Sequence, residues 1–242
     1  MCAAWLARTV DVIEQWSRTA SPAVIFDFNG TLSDDEPILF DIFSELFDTH
    51  LGWAMTADDY RDELLGKSDR EIIEYAHARH GVAGAPDVDD LLRIRHGRYK
   101  ERVAGQSPIT PAAIELVELL VSHDIPVAIV TGAQRDDVLA VLEHSPVGAL
   151  IPILVAEEDV TEGKPHPEGY LSGARLLDRD PGDILVFEDS VPGVQAALAA
   201  GMHCVAISAD PTSELRAVAP VIVGKLSPDL VAGALAERAG ME

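Results

Sequence analysis

Apolar positions in this chain fall into two rhythms. Short, mostly apolar runs at residues 23–28 (AVIFDF), 125–131 (IPVAIVT), 149–156 (ALIPILVA) and 183–187 (DILVF) lead into polar or turn-forming loops, as buried strands do. A weaker fifth run lies at 203–207 (HCVAI). Between these runs the apolar spacing is helical. Thr110 before Pro111 supplies an N-cap and first-turn signal ahead of Ile114, Val117, Leu120 and Val121. Ser190 opens another helix that runs to Ala200 and stops at Gly201. Short apolar strands alternating with helices predict an α/β fold, a Rossmann-like parallel sheet with helices on both faces.

The rhythm changes from residue 36 to about residue 105, where no strand pattern occurs. Ile38, Leu39, Ile42, Phe43, Leu46 and Phe47 recur at helical spacing behind Pro37. Further helical patterns follow at 58–65, 69–80 and 87–103, with a loop at 81–86. A helical insert placed directly after the first strand lies over the carboxyl ends of the strands, where open α/β sheets bind ligands. The predicted organisation is an N-terminal extension (1–20), a core (21–34 and 106–242) and an all-helical cap (35–105). The extension reads as a short amphipathic helix with Val10, Ile13 and Trp16 on one face.

Composition narrows the function classes. Of 242 residues, 48% are apolar and 24% charged, which fits a folded globular chain and not a disordered one. The formal net charge of −23 repels phosphate backbones, so nucleic acid and anionic membranes are not expected partners. Two cysteines, Cys2 and Cys204, are too few for a disulfide framework and point to a reducing compartment. The apolar runs are too short to span a bilayer, and Arg8, Asp11 and Glu14 interrupt the N-terminal segment too early for a secretory signal. A soluble, cytoplasmic protein, monomeric or homodimeric, is expected.

Candidate chemistry sits at the strand ends. Asp27 closes the first strand beside Gly30, which permits a tight turn, although an isolated Asp there can equally serve the turn itself. Thr131-Gly132, at the end of the second strand, offers a hydroxyl and a free backbone N–H to phosphate oxygens. Lys164, in Gly163-Lys164-Pro165-His166-Pro167, is held in a loop that proline stiffens. Glu188 and Asp189 are adjacent carboxylates that repel each other unless a cation compensates, which favours a hard metal bound through oxygen. Ser190, or Asp189, can also cap the following helix.

Four such pieces in this order resemble the haloacid dehalogenase superfamily, with the likeness covering almost the whole chain after residue 20. The first motif of that superfamily, Asp-x-Asp-x-Thr, is matched by Asp27-Phe28-Asn29-Gly30-Thr31. The segments Leu32-Ser33-Asp34-Asp35-Glu36-Pro37 and Phe187-Glu188-Asp189-Ser190-Val191-Pro192-Gly193-Val194 look like its phosphoglucomutase-like and phosphoglycolate-phosphatase-like branch with a helical cap. The resemblance implies a phosphohydrolase of a small phosphorylated metabolite, with Asp27 as nucleophile through an aspartyl-phosphate. It implies Mg²⁺ held by the Asp27 carboxylate, the Asn29 backbone carbonyl and Asp189, with Glu188 acting through water. Thr131, the Gly132 amide and Lys164 would bind phosphoryl oxygens, Gly30 and Thr31 of the first loop would also bind substrate, and Lys67 and Arg70 of the cap would select it.

Residue 29 departs from the motif. The resemblance places the general acid/base there, and an amide cannot shuttle a proton. Such help is worth ~10²–10⁴ in rate. Three accounts stand open. Another group relays the proton, with His50, His77 and His96 as candidates. Alternatively, the residue was substituted to trap a complex. In the third account the chemistry differs, with Lys67 forming a Schiff base for carbon–phosphorus cleavage. A mutase, or a non-catalytic phosphometabolite-binding protein that retains the pocket, are the other readings.

Overall fold

A computed structural model describes residues 11–240 of the chain. Its centre is one six-stranded sheet, all parallel: β1 (Ala23–Phe26), β2 (Val127–Val130), β3 (Ile153–Val155), β4 (Ile184–Glu188), β5 (His203–Ile207) and β6 (Ile222–Val223), in the spatial order β3-β2-β1-β4-β5-β6. Strands β1, β2 and β4 are buried along their whole length, which is why they read as continuous apolar runs rather than as alternation. Connections run outward from β1 to β2 and β3, then return to β4, so the strand order reverses beside β1. That reversal opens the crevice in which sheets of this kind bind ligands.

Two strands differ from the sequence reading. Residues 149–156 do not form one strand: Val147–Leu150 is a helical turn, and β3 starts only after Pro152, which cannot donate to a ladder. The sixth strand, β6, is only two residues long, too short to carry a period.

The helical cap lies between β1 and β2. Its helices are α1 (Glu36–Leu51), α2 (Asp69–His80) and α3 (Val88–Val103). The pattern at 58–65 resolves into a short turn, Ala57–Asp59, followed by one π-helical turn, Tyr60–Leu64. Leu39, Ile42, Phe43, Leu46 and Phe47 of α1 are buried, as the spacing predicts. Core helices α4 (Pro111–Ser122), α5 (Arg135–Leu142), α6 (Glu168–Leu177) and α7 (Val191–Ala199) flank the sheet. The predicted caps are made: Thr110 accepts from Ala113 N and Ser190 from Gly193 N. Residues 11–17 are helical, with Ile13 and Trp16 buried and Trp16 Nε1 donating to Ala23 O at 2.9 Å, while Val10 lies outside the described residues. No helix among the described residues is long and apolar enough to cross a membrane.

A buried charge cluster ties cap to core. Arg95 of α3, 2% exposed, pairs with Asp69 at the start of α2 (3.0 Å) and with Asp137 of α5, and its guanidinium lies over the Phe43 and Tyr99 rings. His96 Nδ1 adds a contact to Asp137 at 2.7 Å. Burying these carboxylates is costly unless the cation stays, so removing one partner hurts more than the pair is worth. Arg95→Leu is expected to lower the unfolding free energy by about 3–5 kcal/mol, read from the urea midpoint.

Candidate active site

Two candidate residues stand one position past their strands yet still extend the ladder. Asp27 N donates to Phe187 O at 2.9 Å and Thr131 N to Val155 O at 3.0 Å, which holds their side chains at the carboxyl edge of the sheet. Both line a cavity of about 330 Å³ between core and cap, together with Asn29, Gly132, Lys164 and Asp189. Lys67 lines it from the cap side.

Lys164 organises this edge. Its Nζ bonds Asp27 Oδ1 and Glu188 Oε1, each at 2.5 Å, and sits 5.3 Å from the Tyr170 ring centre. Burial alone would discharge the lysine, but the two carboxylates more than offset it and hold it cationic. Glu188 is wholly buried and its oxygens are occupied: Oε1 also accepts from Tyr170 OH, and Oε2 from Asp189 N, Ser190 N and Ser190 Oγ. The adjacent acids therefore divide their labour. Glu188 anchors Lys164 and the loop, and Asp189 faces the cavity.

Oxygen atoms of Asp27, Glu188 and Asp189 lie within 4.8 Å of one another. Burial, then Glu188, Asp27 and Glu36, push the Asp189 carboxyl well above the ordinary range. Burial also raises Asp27 against the pull of Lys164. One ammonium does not neutralise three clustered carboxylates, and their oxygens are the donors a hard divalent ion takes, so the residues present fit Mg²⁺. Gly30 makes the approach feasible. It has φ +72°, and a Cβ there would stand 2.1 Å from Asp189 Oδ2.

Other expected residues are placed differently. Arg70 does not line the cavity; its guanidinium pairs at the surface with Asp89 at 2.9 Å and Glu74 at 3.7 Å. Thr31 is buried beneath the loop, with no partner for Oγ1. Lys67 Nζ donates to Glu63 O and lies 5.9 Å from the Tyr75 ring centre. Of the candidate relays, His96 is committed to Asp137, and neither His50 nor His77 borders the cavity. Asn29 does border it, and its Nδ2 donates to Asp35 Oδ2 at 2.8 Å.

Sequence reasoning missed Glu36 and Glu157. Glu36 lines the cavity, accepts from Tyr60 OH at 2.9 Å, and is raised by burial and then by Asp35. Its only sequence signal was its place in the segment after the first motif. Glu157 follows β3, and its role rests on tertiary proximity to Asp69 and Glu71 of the cap.

The model for haloacid dehalogenase-like hydrolases matches residues 24–207. CbbY of Rhodobacter capsulatus is 31% identical over 76% of this chain and 83% of its own length. Hexitol phosphatase A of Escherichia coli is 32% identical over 76% of this chain and 82% of its own. The crystal structure of Rhodobacter sphaeroides CbbY with xylulose-(1,5)bisphosphate superposes with a TM-score of 0.73 at 26% identity, covering 85% of this chain and 94% of that one. The chain belongs to the haloacid dehalogenase-like hydrolases. It is an enzyme, a hydrolase of the phosphatase kind.

Gly30→Ala combines backbone strain of ~1–2 kcal/mol with displacement of Asp189. Calorimetric titration is expected to show Mg²⁺ affinity falling about 10–100-fold.

Proposed function

We propose that this protein is a Mg²⁺-dependent phosphohydrolase that acts on a small phosphorylated metabolite through an aspartyl-phosphate on Asp27. The bridge from Lys164 to Asp27 and Glu188, with Asp189 beside it, carries the reading. It sets a nucleophile, a fixed cation and a metal-binding carboxylate at one strand edge.

Asp27, Asp189 and the Asn29 backbone carbonyl would hold the ion, and Glu188 reaches it only through water, since its own oxygens are occupied. When bound, Mg²⁺ supplies charge that offsets the phosphoryl oxygens. Lys164, Thr131 Oγ1 and the Gly132 amide orient the same oxygens, which is most of what phosphoryl transfer asks of a protein. An Asp27 oxygen bonds to phosphorus as the bond to the leaving oxygen breaks. Water then attacks the phosphorus, releases phosphate and restores the carboxylate. Asn29 neither protonates the leaving oxygen nor deprotonates the water. The native substrate is therefore one whose leaving group departs with little protonation, or turnover is slow.

Substrate selection falls to the cap side of the cavity. Asp69 and Glu71 of α2 face Glu157 of the core across the mouth. Burial, then Asp69 and Glu158, raise Glu157 to about 7. These rim acids and Lys67 line the part of the cavity that would meet the body of the substrate, which is proposed to be a small hydroxylated one bearing a phosphoryl group. Relatives named hexitol phosphatase and glycerol-3-phosphatase support that class. Because Lys67 is engaged by Glu63 O and Tyr75, a Schiff base at this residue gains no support.

Hydrolysis of p-nitrophenyl phosphate, whose leaving group needs no acid, is expected to require Mg²⁺ and to vanish in Asp27→Asn. Activity persisting in that variant would remove Asp27 as nucleophile.

The rim gives a second prediction. Glu157 holds its proton more tightly folded than unfolded, so its contribution to stability is lost as pH rises from 4.5 to about 7. In thermal melts, Glu157→Gln is expected to gain on the parent across that window, with the gain level above it.

A further inference from the structure

Asp35 occupies the N-cap of α1, where the chain passes from core to cap, yet its side chain makes no cap bond. An aspartate there usually accepts from the first-turn amides. Instead Asp35, wholly buried, accepts from Asn29 Nδ2 at 2.8 Å and from the hydroxyl of Tyr99, itself wholly buried in α3. The carboxylate is spent on the residue that departs from the first motif and on a cap side chain.

We propose, resting on the phosphohydrolase reading, that Asp35 is a positioning residue. It holds the Asn29 amide by its nitrogen, so that the amide's carbonyl oxygen faces the cavity, and Tyr99 fixes the holder from the cap. A carboxylate accepts only, so it selects the NH₂ end of the amide and leaves the oxygen to the other side. Asn29 borders the cavity and Asp35 is sealed from solvent, so that other side is the phosphoryl pocket. There the oxygen accepts a hydrogen bond from the attacking water and aims it without taking its proton. Residues 29 and 35 thus act as a pair whose single carboxylate stands one position behind the pocket. Replacing Asn29 alone by aspartate would set a carboxylate at the pocket edge against the wholly buried carboxylate of Asp35.

A double-mutant cycle tests this with Asn29→Asp, Asp35→Asn and both together, each assayed with Mg²⁺ on p-nitrophenyl phosphate and glycerol 3-phosphate. Asp35→Leu, which removes the acceptor, is expected to lower kcat on the aryl ester at least tenfold while KM stays within about twofold. Tyr99→Phe, which keeps the ring packing, is expected to move kcat in the same direction. On glycerol 3-phosphate, the exchanged pair is expected to exceed Asn29→Asp alone by at least tenfold, a part of the ~10²–10⁴ that acid–base help supplies. Equal rates for Asn29→Asp and the exchanged pair would overturn the proposal, as would an unchanged kcat in Asp35→Leu. A readout independent of turnover is hydrogen exchange of the Asn29 side-chain NH₂ by NMR. It is expected to be protected in the parent and unprotected in Asp35→Leu, which removes the acceptor, and equal exchange in both would also overturn the proposal. Absence of Asp27-dependent hydrolysis in every variant would instead remove the hydrolase reading and leave the exchange result to judge Asp35.

Discussion

The strand edge is held by a charge imbalance. Asp27, Glu188 and Asp189 converge within 4.8 Å, and one buried ammonium, Lys164, stands among them. At such separations like charges in a poorly solvated site strongly disfavour joint ionisation, while a cation reverses the sign. The site is therefore organised around positive charge, which suits a phosphoryl group that must approach carboxylates in a chain of net charge −23. Preorganisation lies in how Glu188 is used. Its oxygens take Lys164, Tyr170, Ser190 and the Asp189 amide, so the lysine is aimed before any ligand arrives.

Cap and core meet through the same economy. Arg95 joins Asp69, in the helix that lines the mouth, to Asp137 in a core helix. Asp35 joins Asn29, in the first loop, to Tyr99, about one turn beyond Arg95 on the same helix. Both links are buried polar contacts, which fix geometry more sharply than apolar packing because a misplaced partner is left unsatisfied. The seating of the cap is thus coupled to the two places where it touches the chemistry, the substrate mouth and residue 29.

Much of this architecture was legible from period and punctuation. Continuous apolar runs identified β1, β2 and β4 because those strands are covered on both faces, and Pro37, Thr110 and Ser190 marked helix starts through local backbone chemistry. The short strand β6 and the π-helical turn at Tyr60–Leu64 left no signal: two residues have no period, and a π turn differs from an α turn by one hydrogen-bond register.

For the site, chain order brought Asp27, Thr131 and Asp189 to one edge, because each directly follows a strand and parallel strands share that end, whereas Lys164 reaches them from the loop between β3 and α6. Three-dimensional packing decided the rest. Arg70 turned to Asp89 and Glu74, Glu188 was spent on anchoring, Glu36 and Glu157 entered the cavity, and Asp35 took hold of Asn29. Local sequence sets which backbone a residue sits on, but a side chain's partner is whichever charge or donor a distant segment delivers to it.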